Sequence, residues 1–306
     1  MLKEKALKKI FITTITIFIV LVFYTLANLG EPKSITKDIS LVDQDDLKTI
    51  YTINTDNYIA KATVYIDSKL SLEDKIKSLL EIMIEKNNKN ALLPSNFKPI
   101  LPKNTKVLSV KLDNDILKIN FSKELKNINK EQEEQMLEAI TYTLTEFKDV
   151  LGVEIYVEGN LIKYNSNNVI STILTKDIGI NKIYDLTNTN NINKVILHYY
   201  SKKDGKLYDI PITKYINDDR EKIEIIVEEL ANNYIKEPNL ISYLDSRTKL
   251  LNYNIKDKTL NMTFNDYLFS TNDKGLEALY KSIFNNYDIN KIKITNKTGK
   301  IIEKSK

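Results

Sequence analysis

Forty-one carboxylates, a single histidine and no cysteine are what this chain offers for acid–base, nucleophilic or metal chemistry. His198 sits in the run VILHYY at 195–200, which reads as a strand, and spacing suggests no partner to orient it as a general base. It reads as a structural or surface residue. Asp113 and Asp115 flank a turn, and Glu131, Glu133 and Glu134 fall in the first turn of a helix, where the dipole favours negative charge. A glycosidase would need such a carboxylate pair, yet turn and dipole chemistry account for these positions without catalysis. No His-Glu-x-x-His, phosphate-cradling glycine loop, Gly-x-Ser-x-Gly or acidic calcium loop occurs. The expectation is a protein that is not an enzyme, with no catalytic, cofactor-binding or metal-ligating residues. Tyrosine is the skewed residue: ten lie in 194–306 against four in 58–160. It suits strands and contact surfaces alike, so an exposed tyrosine patch is one reading and core strands, as for Tyr253, the other.

Any contact surface must be positioned by an element that is written twice. Residues 105–125 (TKVLSVKLDNDILKINFSKEL) and 248–268 (TKLLNYNIKDKTLNMTFNDYL) align without a gap, sharing Leu108/Leu251, Leu117/Leu260 and Phe121/Phe264. Both alternate apolar and polar residues, the period of a strand with one buried face. A two-residue turn at Asn114-Asp115 sets Leu112 opposite Leu117, Val110 opposite Ile119 and Leu108 opposite Phe121. The second copy pairs Ile255 with Leu260, Tyr253 with Met262 and Leu251 with Phe264 around Asp257-Lys258. Lys258 suits positive φ poorly, so a looser second turn is expected. A repeat of this kind marks a duplicated domain.

The flanking elements recur too. Ser71 and Asp74 cap a helix with the stripe Leu72, Ile76, Leu79, Leu80 and Met83; Asp218 and Glu221 cap one with Ile223, Ile226, Val227 and Leu230. After each hairpin, Leu137-Glu138-Ala139-Ile140 is echoed by Leu276-Glu277-Ala278-Leu279. Val153 and Ile155 are echoed by Ile292 and Ile294. Before the helix, the second copy inserts residues 204–215, with Asp204-Gly205 as a turn. Each unit reads as strand, helix, hairpin, helix, strand: an α+β fold in which a small sheet is packed by two helices.

Charge and hydropathy set the remaining boundaries. Residues 1–9 are basic, and residues 10–29 (IFITTITIFIVLVFYTLANL) run without a charge for about the length of one helical membrane crossing. A cleaved signal peptide is the alternative, but its apolar run is shorter and ends in a small-x-small site. The lysines place the amino terminus in the cytoplasm. Residues 1–29 carry net +3 of the chain's +4, which leaves the rest near +1 and argues against nucleic acid as a partner. Residues 30–57 read as a polar stalk with one short element at Leu47–Ile53, 58–164 as domain 1, 165–192 as a linker and 193–306 as a degenerate domain 2.

Leu101-Pro102 before Thr105-Lys106-Val107, the strand end Ile119-Asn120-Phe121-Ser122, and Tyr142-Thr143-Leu144-Thr145-Glu146-Phe147 followed by Val150, Val153 and Gly159 carry a resemblance. The chain resembles the GerMN domain, the sporulation and spore-germination domain of endospore-forming bacteria, which often occurs in tandem. The resemblance covers about 60–163 and is weaker over 194–303, where Lys281-Ser282-Ile283-Phe284-Asn285 replaces the central motif. It implies a ring-building-motif-like fold and a membrane-attached, extracytoplasmic protein of sporulation. Partners would be envelope proteins of a sporulation complex, including the mother-cell–forespore channel, and further copies of itself. Family members are often lipid-anchored; without cysteine, the anchor here would be residues 10–29. Peptidoglycan binding is the alternative function, and a wall hydrolase ranks behind it.

Overall fold

The structure is a computed structural model that describes residues 14–17, 44–162, 172–232 and 234–306. Residues 1–43 and 44–306 form separate compact units. In the first, residues 14–17 are helical, and the rest of the expected anchor at 10–29 lies outside the described residues. Among the described residues, no helix is long and apolar enough to cross a membrane.

Residues 44–306 are α+β and built as two copies of one plan. The first copy comprises β1 (Leu47–Asn54), β2 (Ile59–Tyr65), α1 (Leu72–Ile82), β3 (Phe97–Lys98), β4 (Val107–Asp113), β5 (Ile116–Phe121), α2 (Lys130–Leu144), β6 (Gly152–Val157) and β7 (Asn160–Leu161). The second comprises β8 (Ile183–Asp185), β9 (Ile192–Lys203), β10 (Lys206–Asn217), α3 (Lys222–Ala231), β11 (Leu250–Lys256), β12 (Thr259–Phe264), α4 (Asp273–Asn286), β13 (Lys291–Asn296) and β14 (Ile301–Ser305). Each copy has a four-stranded sheet, β4-β5-β6-β7 or β11-β12-β13-β14, and a second sheet built on a hairpin, β2-β1-β3 or β8-β10-β9. The central pairs β5/β6 and β12/β13 are parallel. Parallel neighbours need a crossover, and α2 and α4 supply it. The expectation of helices on one face of a single sheet is thus corrected: α2 packs against both β1 and β6, and the hairpin sheet forms an additional layer.

That layer shifts the domain boundaries. Residues 47–54, assigned to a stalk, are β1, which pairs with β2 from Leu47↔Tyr65 to Ile53↔Ile59 and fully buries Ile50. Its period was masked by buried polar residues: Thr52 donates to the Lys98 carbonyl at 2.6 Å, and Asn54 Oδ1 accepts from the amides of Asp56 and Tyr58. Residues 204–215 are therefore no insertion. The hairpin β9–β10, turning at Asp204-Gly205 with φ of 48° and 74°, is the counterpart of β1–β2. The linker is also partly structured, because Leu174 and Ile180 are buried and β8 pairs in parallel with β10. Residues 163–171 lie outside the described residues.

The hairpin registers agree with expectation near the turns and depart from it at the far ends. Leu112↔Leu117, Val110↔Ile119, Ile255↔Leu260 and Tyr253↔Met262 pair as expected. A bulge then sets Val107, not Leu108, opposite Phe121, and Leu250, not Leu251, opposite Phe264. An extra residue turns each displaced leucine outward, leaving Leu108 and Leu251 nearly half exposed. The second turn is no looser than the first: Asp257 and Lys258 take φ of 50° and 56°, like Asn114 and Asp115 at 45° and 64°. The α1 cap is as expected, with Asp74 N donating to Ser71 Oγ at 3.1 Å. The α3 cap is not, since Glu221 occupies the cap position without a side-chain bond.

If β1 is core, Ile50→Ala leaves a cavity and costs about 2–5 kcal/mol. Urea unfolding of the variant is expected to show that loss; a change within a few tenths would return residues 47–54 to the status of a stalk.

Candidate functional site: the polar junction between the repeats

Polar side chains converge where the two copies meet. Strand β2 lies beside β10, and Asn181 joins them. Its Oδ1 accepts from Ile59 N at 2.8 Å, while its Nδ2 donates to the carbonyls of Ile59 and Pro211 at 2.7 and 2.8 Å. One amide side chain thus does what a short piece of strand would do, satisfying backbone groups that burial would otherwise penalise. Positive φ at Asn181, 48°, suits an asparagine.

Helix α2 meets the same segment. Glu138, 2% exposed, accepts from Asn181 N at 2.9 Å and lies 3.4 Å from Lys182 Nζ, which also reaches Glu134 at 2.6 Å. Burial pushes the Glu138 carboxyl up to about 7, against the opposing pull of Lys182 and the Asn181 amide. Burial alone would lower the Lys182 ammonium, but Glu134 and Glu138 more than offset that and raise it. Tyr142 donates to the Lys176 carbonyl at 3.2 Å, and Lys176 pairs with Glu146 at 2.7 Å.

His198 stands in a second cluster, in β9. Asp209 Oδ1 lies 2.8 Å from its Nδ1, and Asn285 Nδ2 lies 2.7 Å from its Nε2. With the proton on Nδ1, the ring donates to Asp209 and accepts from Asn285. Both nitrogens are engaged, which leaves neither for a substrate. Burial would raise the Asp209 carboxyl, but His198 and Lys281, 3.0 Å away, hold it far below the usual carboxylate range. Glu277 is likewise brought down to about 2, because Lys274 and Lys281 outweigh its burial.

The two clusters are the same place in the two copies. Tyr51 N donates to Thr143 Oγ1 in α2, and His198 N donates to Ser282 Oγ in α4, both at 2.9 Å. His198 therefore stands where Tyr51 stands, and Asn285 where Glu146 stands. Sequence spacing missed these partners. The Asp204-Gly205 turn, carried through as a register, places His198 opposite Pro211 and Tyr200 opposite Asp209. That puts His198 and Asp209 diagonally on one face, whereas Asn285 carries no such signal.

Of the carboxylates singled out from the sequence, Glu134 joins this junction and Asp113 does not. Asp113 pairs with Lys118 at 2.8 Å, and Glu134 with Lys182. Among the described residues no group of His, Cys, Asp and Glu could hold a metal. The tyrosines divide: Tyr199 and Tyr200 are buried, Tyr253 is half-buried with its hydroxyl 3.2 Å from Glu224, and Tyr184, Tyr234 and Tyr267 are exposed.

A carboxyl whose folded pKa lies above its unfolded value contributes stability at low pH and loses it as pH rises through the folded pKa. Glu138 is therefore expected to weaken residues 44–306 as pH rises from about 4.5 to about 7, by on the order of 3 kcal/mol in all. Urea midpoints across that range should fall for the natural sequence and stay level for Glu138→Gln; parallel curves would refute the assignment.

Residues 48–163 match the model of the family described as sporulation and spore germination (Germane). The chain is 27% identical over 248 residues to the spore germination protein GerM of Bacillus subtilis (strain 168), covering 78% of this chain and 66% of that protein. The match therefore spans just under two thirds of that relative's length. In structure the chain is similar to the tandem GerMN domains of the sporulation protein GerM from Bacillus subtilis, with TM-score 0.73 and 23% identity, over 85% of this chain and 96% of that one. At that identity the likeness is one of fold, and it extends to the second copy, where the sequence resemblance is weaker. Residues 48–163 thus match the Germane (GerMN) family model, and the fold similarity to tandem GerMN domains takes in both copies.

Proposed function

We propose that this chain is a membrane-anchored, extracytoplasmic protein of sporulation or germination that acts by protein–protein assembly within an envelope complex. The observation that carries this reading is how its reactive side chains are spent. His198, Asp209, Lys281 and Glu138 all hold structure together, and the product is a two-domain body without an uncommitted acid–base pair at its junction. The similarity to GerM, named for both sporulation and germination, supplies the process. Residues 10–29 supply the anchor and the preceding lysines its orientation. The mother-cell–forespore channel is the complex this reading favours.

Deleting the gene is expected to impair spore formation or germination, with rescue by the full chain but not by a chain lacking residues 1–29. Normal sporulation and germination in the deletion strain would sink the proposal. Added protease is expected to digest residues 44–306 from the outside of protoplasts; protection until lysis would overturn the topology.

A second reading, peptidoglycan binding, draws on Tyr184, which is 59% exposed and stacked on Tyr215 with ring centroids 4.9 Å apart. Exposed aromatic faces suit sugar rings. Saturable co-sedimentation of residues 44–306 with purified peptidoglycan, lost in Tyr184→Ala, would favour it over assembly.

A further inference from the structure

The register fixes which residues of the two copies correspond. Ile53 pairs with Ile59 on one side and Lys98 on the other; Tyr200 pairs with Asp209 on one side and bridges to Ile241 on the other. Tyr58 therefore corresponds to Tyr208, Asn96 to Asn239 and Phe97 to Leu240. These pairs also share residue type: two tyrosines, two asparagines, two apolar residues.

The contacts across the junction are reciprocal in those terms. Tyr58, of the first copy, donates its hydroxyl to the Pro238 carbonyl of the second at 2.8 Å, beside Asn239. Tyr208, of the second, accepts from Asn96 Nδ2 of the first at 2.8 Å and packs edge-on against Phe97, with centroids 5.3 Å apart. Asn239 Nδ2 reaches back to Asp56 at 3.1 Å, on the turn before Tyr58. Phe97 and Leu240 are almost equally buried, at 7% and 8% exposure. Each copy's tyrosine thus meets the corresponding segment of the other copy, Tyr58 at Pro238 next to Asn239 and Tyr208 at Asn96 and Phe97. That is the signature of an isologous, two-fold contact, here closed within one chain.

We infer that the surface around Tyr58, Asn96 and Phe97 is self-complementary, so that the first repeat can pair with the first repeat of a second copy of this chain when its own second repeat is displaced. In that pair Tyr58 meets the Asn96–Phe97 segment of the other copy, and Asp56 meets Asn96 as it meets Asn239 within the chain. Asn181 and Lys182, which have no counterpart in the contact, bias the intact chain towards internal pairing. Linkage adds to that bias, since a tethered partner acts at roughly millimolar effective concentration.

The test uses the full chain. Tyr208→Asp removes the second repeat's anchor and leaves the first repeat's surface intact. Sedimentation should show its mass rising towards twice the single-chain value as concentration climbs through the micromolar range, while the natural chain does not change in this way. Adding Tyr58→Asp should abolish the rise. Asn239→Asp sets a carboxylate against Asp56 without entering the core, and it should act in the same direction if Tyr208→Asp disturbs folding by circular dichroism. In a separate sample of the Tyr208→Asp chain, Asp56→Cys with Asn239→Cys, in a chain with no other cysteine, reports the internal contact through a short bismaleimide. Failure of both variants to dimerise overturns the inference. If the internal cross-link then persists in the Tyr208→Asp chain, Tyr208 is not an anchor; if it is lost, the bared surface does not fit itself. Dimerisation that survives loss of Tyr58 would overturn it as well.

Discussion

From Met136 to Leu144, helix α2 has no side open to water. A helix normally offers one polar stripe to solvent, so this one must find internal partners for polar groups a lone domain would leave outside. Thr143 supplies the acceptor for the Tyr51 amide, Tyr142 reaches the Lys176 carbonyl, and Glu138 takes the Asn181 amide and faces Lys182. Each partner beyond the first copy lies in the segment leading into the second, so the core of one repeat is completed by the arrival of the next. Helix α4 shows the contrast. Its buried residues, Gly275, Ala278, Leu279, Ser282 and Ile283, form a stripe, and Glu277 and Lys281 at the positions of Glu138 and Tyr142 stay partly in solvent.

The two copies solve one backbone problem with different chemistry. In each hairpin sheet one strand, β1 or β9, turns an amide towards a helix, and a hydroxyl accepts it, Thr143 in one copy and Ser282 in the other. Around that fixed point the first copy places Tyr51 against Tyr142 with a hydrogen bond to Glu146, and the second places His198 between Asp209 and Asn285. Breaking a buried charged pair costs more than the pair contributes, so such a network, once present, resists piecemeal change. That is sufficient reason for a lone buried histidine, without catalysis.

What was legible follows from what burial does to a pattern. The repeated hairpins announced themselves because Leu117, Ile119 and Phe121, with Leu260, Met262 and Phe264, alternate cleanly with polar residues. The bulges did not, because leucine or valine stands at both 107 and 108, and leucine at both 250 and 251, so composition is indifferent to which one turns inward. Strand β1 was hidden by Thr52 and Asn54, buried by virtue of hydrogen bonds rather than apolarity. Lys258 accepts positive φ because the turn geometry required by the strands outweighs a modest residue preference. The junction was the least legible part, since Asn181, Lys182 and Glu138 look like surface residues until the fold brings them together.

The two bulges have a bearing on how such a protein survives at high density. Strands β4 and β11 are the outermost members of their sheets, and an outermost strand with leucine or isoleucine facing outward is a template on which neighbouring molecules coalesce. A bulge at Val107–Ser109 and again at Leu250–Asn252 interrupts the run of evenly spaced amides and carbonyls a foreign strand would need. Polypeptides crowded side by side can then touch repeatedly without their sheets fusing into amyloid-like stacks.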